Sequence, residues 1–384
     1  MKSSKLKSDK MNLVSLFAGI GGFELAFKKI ARTTLMCEID EIAKYVLQKQ
    51  LPSIPIINDI RDIEKLPDNT DILCAGFPCQ DLSSVGIKKG LSGTRSSLVW
   101  EVFRLLESNK PEWVILENVS FMLSLNNGEA IRVITSEFER LGYKWAYRTI
   151  DSISFVPQHR ARVFVVASLN SDPRNVILSG SCDSPIGKVN YNRFQYPLGF
   201  YWTEGRSALG LVENAIPTLK AGSTIGIPSP PAIVFPNGEV STPDICDAEL
   251  LQGFPENWTK VAEDIAKPSA RWKLVGNAVT VNTVKWIADK IINPELYDAT
   301  SDTPVVNGSK WPKAAWSMGN GVYESKVSLY PQKRKSDLIS FLKHERKSLS
   351  LKASEGFLKR LHEGRLKHPE HFELAIENHI KAYK

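Results

Sequence analysis

The sequence predicts an α/β protein: a doubly wound, mostly parallel sheet, then a small loop-rich second domain and a helical C-terminal extension. Three observations carry this. From Leu13 to about Ala167, short apolar runs alternate with segments whose apolar residues recur at helical spacing, the pattern of a parallel sheet wound with helices. From about 168 to 240 the alternation stops, and Gly, Pro, Ser and Asn become dense around an aromatic cluster at Tyr191, Phe194, Tyr196, Phe200, Tyr201 and Trp202. The last fifty residues return to short helical patterns crowded with Lys and Arg.

Taken in order, strands are expected at 13–17, 34–38, 54–57, 71–76, 113–117, 145–150 and 162–167, with helices at 22–30, 41–50, 97–108 and 128–140. Regular structure resumes at 247–252 and in a helical run from Val279 to Ile292. Residues 296–332 have poor periodicity and read as a linker. Beyond them, Ser336 and Ser350 are candidate helix caps and Pro369 suits a first helical turn. The predicted division is 11–168 and 241–295 for the sheet domain, 169–240 for the loop-rich domain, and 333–384 for the extension.

Composition narrows the function classes. The chain has 384 residues, 42% hydrophobic and 24% charged, as in ordinary water-soluble domains. Five cysteines are scattered without CxxC spacing, which suggests neither a disulfide framework nor a zinc site; no metal is expected, and the cytoplasm is the expected compartment. Lysines precede the apolar residues 13–17, but Gly19, Gly21, Gly22 and Glu24 interrupt any export signal, and no apolar segment is long enough to span a bilayer. The net charge of +7 suits a polyanionic partner, and much of the excess lies after residue 330. That segment reads equally as a solvated helical surface or as a nucleic-acid contact.

Phe77-Pro78-Cys79-Gln80 ends an apolar run, so it places a thiol where a strand gives way to a loop, the position at which open α/β sheets bind ligands. On its own, such a cysteine is more often a small core residue than a nucleophile. Phe17-Ala18-Gly19-Ile20-Gly21-Gly22 joins the first strand to the first helix. Its GxGG spacing is a poorer match to a pyrophosphate cradle than GxGxxG. Glu38 ends the second strand, where a carboxylate can accept from a ribose diol, and Asp59 follows the third strand, where one can accept from an adenine amino group. Together they favour a nucleoside cofactor. Glu117 ends a further apolar strand, and Gln158-His159-Arg160-Ala161-Arg162 opens another, with two arginines directed to one face.

In this order, FAGIGGF, GFPCQ, ENV, QHRAR, LQGFPENW (251–258) and Gly276-Asn277-Ala278-Val279 resemble the DNA (cytosine-5) methyltransferases, a resemblance that covers 13–167 and 242–292. It implies the class I S-adenosylmethionine-dependent methyltransferase fold and a catalytic set of Cys79, Glu117 and Arg162, framed by Gln158 and Arg160. Cys79 would attack C6 of cytosine, Glu117 would contact N3 and the exocyclic amine from a closed pocket, and Arg162 would donate to O2. It implies that S-adenosylmethionine lies against Phe17, Gly19, Ile20, Gly21, Gly22, Glu38, Ile39, Asp59, Ile60, Pro78, Leu98, Asn277 and Ala278.

The same resemblance implies double-stranded DNA as substrate, with the target base extruded from the helix. Residues 80–97, with Gly86, Gly90 and Gly93, correspond to a loop that closes over it, and Gln80 and Ser83 to DNA contacts. The loop-rich domain then corresponds to a target-recognition domain, with Thr218-Leu219 matching its short signature. The Thr242-Pro243 segment departs from the family in lacking a neighbouring basic residue. Because the recognition domain is short, the basic helices after 330 are expected to add DNA contacts, so that deleting 330–384 weakens DNA binding and its salt dependence. By analogy the protein is the protective half of a bacterial restriction–modification pair, with a partner endonuclease acting on the same site. The runner-up is tRNA cytosine methylation, which uses the same chemistry on another substrate.

Overall fold

The computed structural model describes residues 10–78, 98–185, 194–222, 230–306 and 308–383. The first half alternates as expected: β1 (Met11–Leu16), α1 (Gly22–Phe27), β2 (Ala31–Cys37), α2 (Glu41–Gln50), β3 (Ile56–Ile57), β4 (Ile72–Ala75), α3 (Leu98–Ser108), β5 (Trp113–Val119), α4 (Glu129–Arg140), β6 (Lys144–Asp151) and β7 (Ala161–Ser168). There follow α5 (Arg174–Ile177), β8 (Leu198–Phe200), β9 (Val212–Glu213), β10 (Ala232–Val234), β11 (Val240–Thr242), α6 (Ile245–Leu251), α7 (Ala270–Asn277) and α8 (Val281–Ile292). The chain ends with β12 (Thr303–Pro304), β13 (Ala314–Ser317), β14 (Tyr323–Glu324), α9 (Leu338–Phe341), β15 (Lys347–Ser348), α10 (Leu351–Gly364) and α11 (Glu370–Lys381).

The large sheet has the order β12-β14-β13-β6-β7-β5-β4-β1-β2-β3. Its strands β3, β2, β1, β4 and β5 are parallel, and β7 inserts antiparallel between β5 and β6. Both faces are covered, which is why these strands read as unbroken apolar runs. On one face Val14, Leu16, Leu73, Leu116 and Val165 pack under Val102, Phe103, Ile134 and Phe138 of α3 and α4. On the other, Leu13, Ile72, Ile115 and Val166 pack under Phe23 and Phe27 of α1 and Val281 and Val284 of α8. Strand order reverses between β1 and β4, and the carboxyl ends of the parallel strands open a crevice there.

The structure corrects the expectation for 296–332. Instead of a linker, β13 pairs with β6 in register Ala315–Tyr147, and β14 and β12 extend the sheet beyond it. These strands are too short to show periodicity; aromatic packing and one buried cation hold them. Trp311 sits over Trp145 and Tyr147, and Trp316 stacks on Tyr323 at 4.6 Å. Fully buried Arg148 donates to the carbonyls of Ser328, Ser179 and Gly180.

A second, antiparallel sheet has the order β15-β11-β10-β8-β9. Its core combines Leu198, Phe200 and Val234 with Phe357, Leu361, Phe372 and Ile376 of α10 and α11. The C-terminal segment therefore completes this unit rather than extending from it. Ser350 caps α10 by accepting from the Ala353 N–H and Pro369 precedes α11, as expected, whereas Asp337 rather than Ser336 stands at the start of α9.

Candidate active site

A cleft of about 450 Å³ lies at the carboxyl ends of β1, β2, β4 and β5, lined by Phe17, Gly19, Ile20, Glu38, Ile39, Asp40, Pro78, Glu117, Asn118, Arg160, Arg162 and Asn277, among others. Its floor follows from the turn after β1. Phe17, Gly19 and Gly21 all have positive φ (56°, 58° and 91°), and Gly21 opens α1 from the left-handed region that a side chain resists. The turn is locked by Glu38, whose Oε2 accepts from the Gly19 N–H at 2.7 Å and whose Oε1 accepts from Asp40 N–H at 2.8 Å. Burial raises the Glu38 carboxyl above its ordinary value, against the lowering pull of those two N–H groups. Each oxygen keeps acceptor capacity for a further hydroxyl. Beside it, Ile39 stands 63% exposed, a large apolar surface in a polar rim.

The Glu117 end of the cleft is set by strand register. In the antiparallel β5–β7 pair Glu117 lies opposite Phe164 and Val119 opposite Arg162. Glu117 and Arg162 are therefore diagonal neighbours on one face. Their side chains form an ion pair with Arg162 Nε 3.2 Å from Glu117 Oε1, both largely buried. Gly76, three residues before Cys79, lies against Glu117, since a Cβ there would sit 3.6 Å from Oε2. Asn118 ties the same strand to the Cys79 approach by donating from Nδ2 to the Phe77 carbonyl at 2.9 Å. Cys79, Gln80, Ser83 and the loop glycines Gly86, Gly90 and Gly93 lie outside the described residues.

Gln158 and Arg160 are buried and committed to backbone. Gln158 donates to the Leu251 carbonyl and to Gln252, and accepts from the Leu219 N–H at 3.0 Å. Arg160 lines the cleft while donating to the carbonyls of Leu219, Gly276 and Ala278 at 2.9–3.1 Å; burial lowers its pKa to about 9, which still leaves it charged at neutral pH. Gly276 permits this seam, because a Cβ there would collide with the Lys220 backbone at 2.3 Å. His159 pairs with the fully buried Asp151, which raises its pKa, and accepts at its carbonyl from the Thr218 hydroxyl.

Several expected positions are not among the residues that line this cleft. Asp59 does not line the cleft: it caps a short turn and pairs with Arg61, which lowers its pKa to about 2, while Ile60 is buried in the sheet core. Gly22 packs against Val279, Ala278 faces the Arg160 seam, and Leu98 opens α3 against the core. Leu219 buries its side chain beside Ile216, Ile233 and Val275, while Thr218 of that pair remains partly exposed. Asp40 and Asn118 are cleft residues that had not been singled out. Asp40 carried a signal, an Asp immediately before an apolar helical pattern, and it caps α2 through the N–H groups of Ile42 and Ala43.

Residues 11–210 match the family model described as C-5 cytosine-specific DNA methylase. The chain belongs to that family. The methylase is 44% identical over 363 residues to Type II methyltransferase M2.BsuMI of Bacillus subtilis (strain 168), covering 91% of this chain and 93% of that protein. It is 30% identical over 314 residues to Type II methyltransferase M.NlaX of Neisseria lactamica, covering 73% and 95%. Among solved structures, the methylase superposes on S. pombe Dnmt2 methyltransferase with a TM-score of 0.56 at 16% identity, covering 74% of this chain and 99% of that one, a likeness of fold. It is a DNA cytosine-5 methyltransferase with the class I methyltransferase sheet. No helix among its described residues is long and apolar enough to cross a membrane.

Proposed function

We propose that the methylase modifies a cytosine extruded from a specific duplex site, with S-adenosylmethionine as donor, and protects bacterial DNA from a partner endonuclease in the cytoplasm. The observation that carries the reading is the Glu117–Arg162 pair set in the same cleft as Glu38. The Type II relatives support the protective role.

The cleft fits the donor. Glu38 retains acceptor capacity suited to a ribose diol, exposed Ile39 offers an apolar surface for a base, and Phe17, Gly19 and Asn277 complete the wall. When bound, S-adenosylmethionine supplies an electrophilic methyl group. Cys79, directly after Pro78, acts as thiolate: its sulfur bonds to C6 of cytosine and the displaced electron pair makes C5 nucleophilic. Glu117 holds the proton at N3 as charge develops on the ring, and Arg162, already oriented on Glu117, donates to O2. After methylation a base takes the C5 proton, and the C6–S electron pair returns to sulfur. Gln158 and Arg160 are positioning residues that fix the 216–219 and 276–278 segments beside the cleft. Thr218, and the loop residues Gln80 and Ser83, are the proposed DNA contacts.

The test is transfer of labelled methyl groups from S-adenosylmethionine to duplex DNA, with tRNA and Cys79→Ser run in parallel. Label on DNA that is lost in Cys79→Ser is the expected result. Label on tRNA alone would move the protein to the RNA reading, and label on neither, with cofactor still bound, would overturn the enzymatic one.

A further inference from the structure

The five-stranded unit holds a cluster of nitrogen and oxygen donors that the methyl-transfer chemistry does not use. Glu373 and Glu377 are four residues apart, on one face of α11. His362, in the last turn of α10, places Nε2 2.5 Å from Glu373 Oε1. One ligand atom each from His362, Glu373 and Glu377 lies within 4.8 Å of the others. Donors around a tetrahedral ion with bonds of about 2.0–2.2 Å stand roughly 3.3 Å apart, so small side-chain rotations suffice to surround one.

His368, in the turn between the helices, grips the other oxygen of the same carboxylate, with Nε2 2.6 Å from Glu373 Oε2. Its Nδ1 lies 2.6 Å from the Leu366 carbonyl. A carbonyl only accepts, so at this contact Nδ1 is the donor.

We propose that this cluster is a divalent transition-metal site, with His362 Nε2 and the carboxylates of Glu373 and Glu377 as ligands and His368 orienting Glu373 from behind. Imidazole with carboxylate favours zinc-like ions over magnesium or calcium. Ligand carboxylates in such sites are themselves held by hydrogen bonds, as Glu373 is held by His368. The ion would pin the end of α10 to α11. The same stretch of α10 holds the loop leading to the recognition turn: Arg360 donates to the carbonyls of Trp202 and Glu204, and Glu363 pairs with Arg206. Tyr201 in turn donates to the Thr218 carbonyl.

A second cluster, Asp244, Cys246 and His344, is a poorer candidate, because the Arg271 guanidinium lies 3.9 Å from Cys246 Sγ and Asp244 already caps α6. The test titrates zinc alone into tag-free, full-length Cys79→Ser protein, following stoichiometry, proton release and thermal unfolding. The expected result is one zinc per chain, bound with loss of protons, with an upward shift in Tm. The double variant His362→Ala/Glu377→Gln, with unchanged circular dichroism, should lose it. His368→Ala should weaken it about 10- to 100-fold, and His344→Ala should leave it intact. Zinc binding unaffected by the double variant, or no binding at all, would overturn the assignment and leave a hydrogen-bonded His–Glu cluster.

Discussion

The crevice of the large sheet and the five-stranded unit assemble their residues in different ways. At the crevice, the residues lie at the ends of successive strands, so parallel order and one antiparallel register suffice to bring Gly19, Glu38, Glu117 and Arg162 together. In the five-stranded unit, the core joins Leu198 and Phe200 to Phe357 and Phe372, more than 150 residues later, and no short motif announces the partnership. The geometry of the crevice is thus inherited from a sheet, whereas that of the five-stranded unit depends on chain segments that meet only in the folded molecule. Gln158 and Arg160 form the seam between the two.

This contrast predicts that the two regions fail separately. Glu117→Gln should lower the rate of methyl transfer about 10²- to 10⁴-fold, the usual worth of a positioned acid, while DNA affinity stays within a few-fold; single-turnover kinetics and filter binding measure both. Parallel losses in both would break the separation. Phe357→Ala, at a fully buried ring packed on Phe200 at 4.8 Å and on Phe372, should cost about 3–5 kcal/mol. Denaturant unfolding should show that loss, and cofactor affinity measured by calorimetry should be unchanged. For the same reason, deleting 330–384 should expose an apolar core, so its effect on DNA binding would go beyond the loss of basic contacts.

Within the large sheet, Glu24 of α1 is fully desolvated and its pKa is raised to about 7. Between its unfolded value near 4.5 and about 7, the folded protein keeps a proton that the unfolded chain has lost. Stability therefore falls as pH rises through that window, and the deficit persists above it. Glu24→Gln should raise stability at pH 8 by on the order of 3 kcal/mol and change little at pH 4.5, as read from Tm at the two values. At the seam, Gln158→Ala strands the Leu219 N–H and the Leu251 carbonyl, at a cost of roughly 1–3 kcal/mol. It should raise KM for DNA more than it lowers kcat, because it displaces the Thr218 turn rather than the reacting groups.

What the sequence disclosed follows the same division. The strands from β1 to β7 and the residues at their ends were legible because apolar runs and the side chains that end them are local features. Arg162 could be matched to Glu117 only through the family resemblance, since the pairing register of β5 and β7 is not visible in either strand. The segment 296–332 looked like a linker because aromatic stacking on Trp145 and burial of Arg148 hold it, and neither leaves a period. The surroundings of Asp59 and Leu219 were not legible for a related reason: a pairing with Arg61 and a buried niche beside Val275 appear only in the folded chain. The His362–Glu373–Glu377 cluster was invisible to a search for cysteine spacing, because its donors come from two helices.

The most direct measurement of the central claim is covalent trapping. A duplex carrying 5-fluorocytosine at the methylated position offers no removable C5 proton, so the step that frees the enzyme is blocked. With S-adenosylmethionine present, intact-mass and peptide analysis should find DNA bonded to Cys79 and none in Cys79→Ser. Methylation of ordinary duplex without any trapped adduct, or an adduct on Cys37, Cys74, Cys182 or Cys246, would contradict the account.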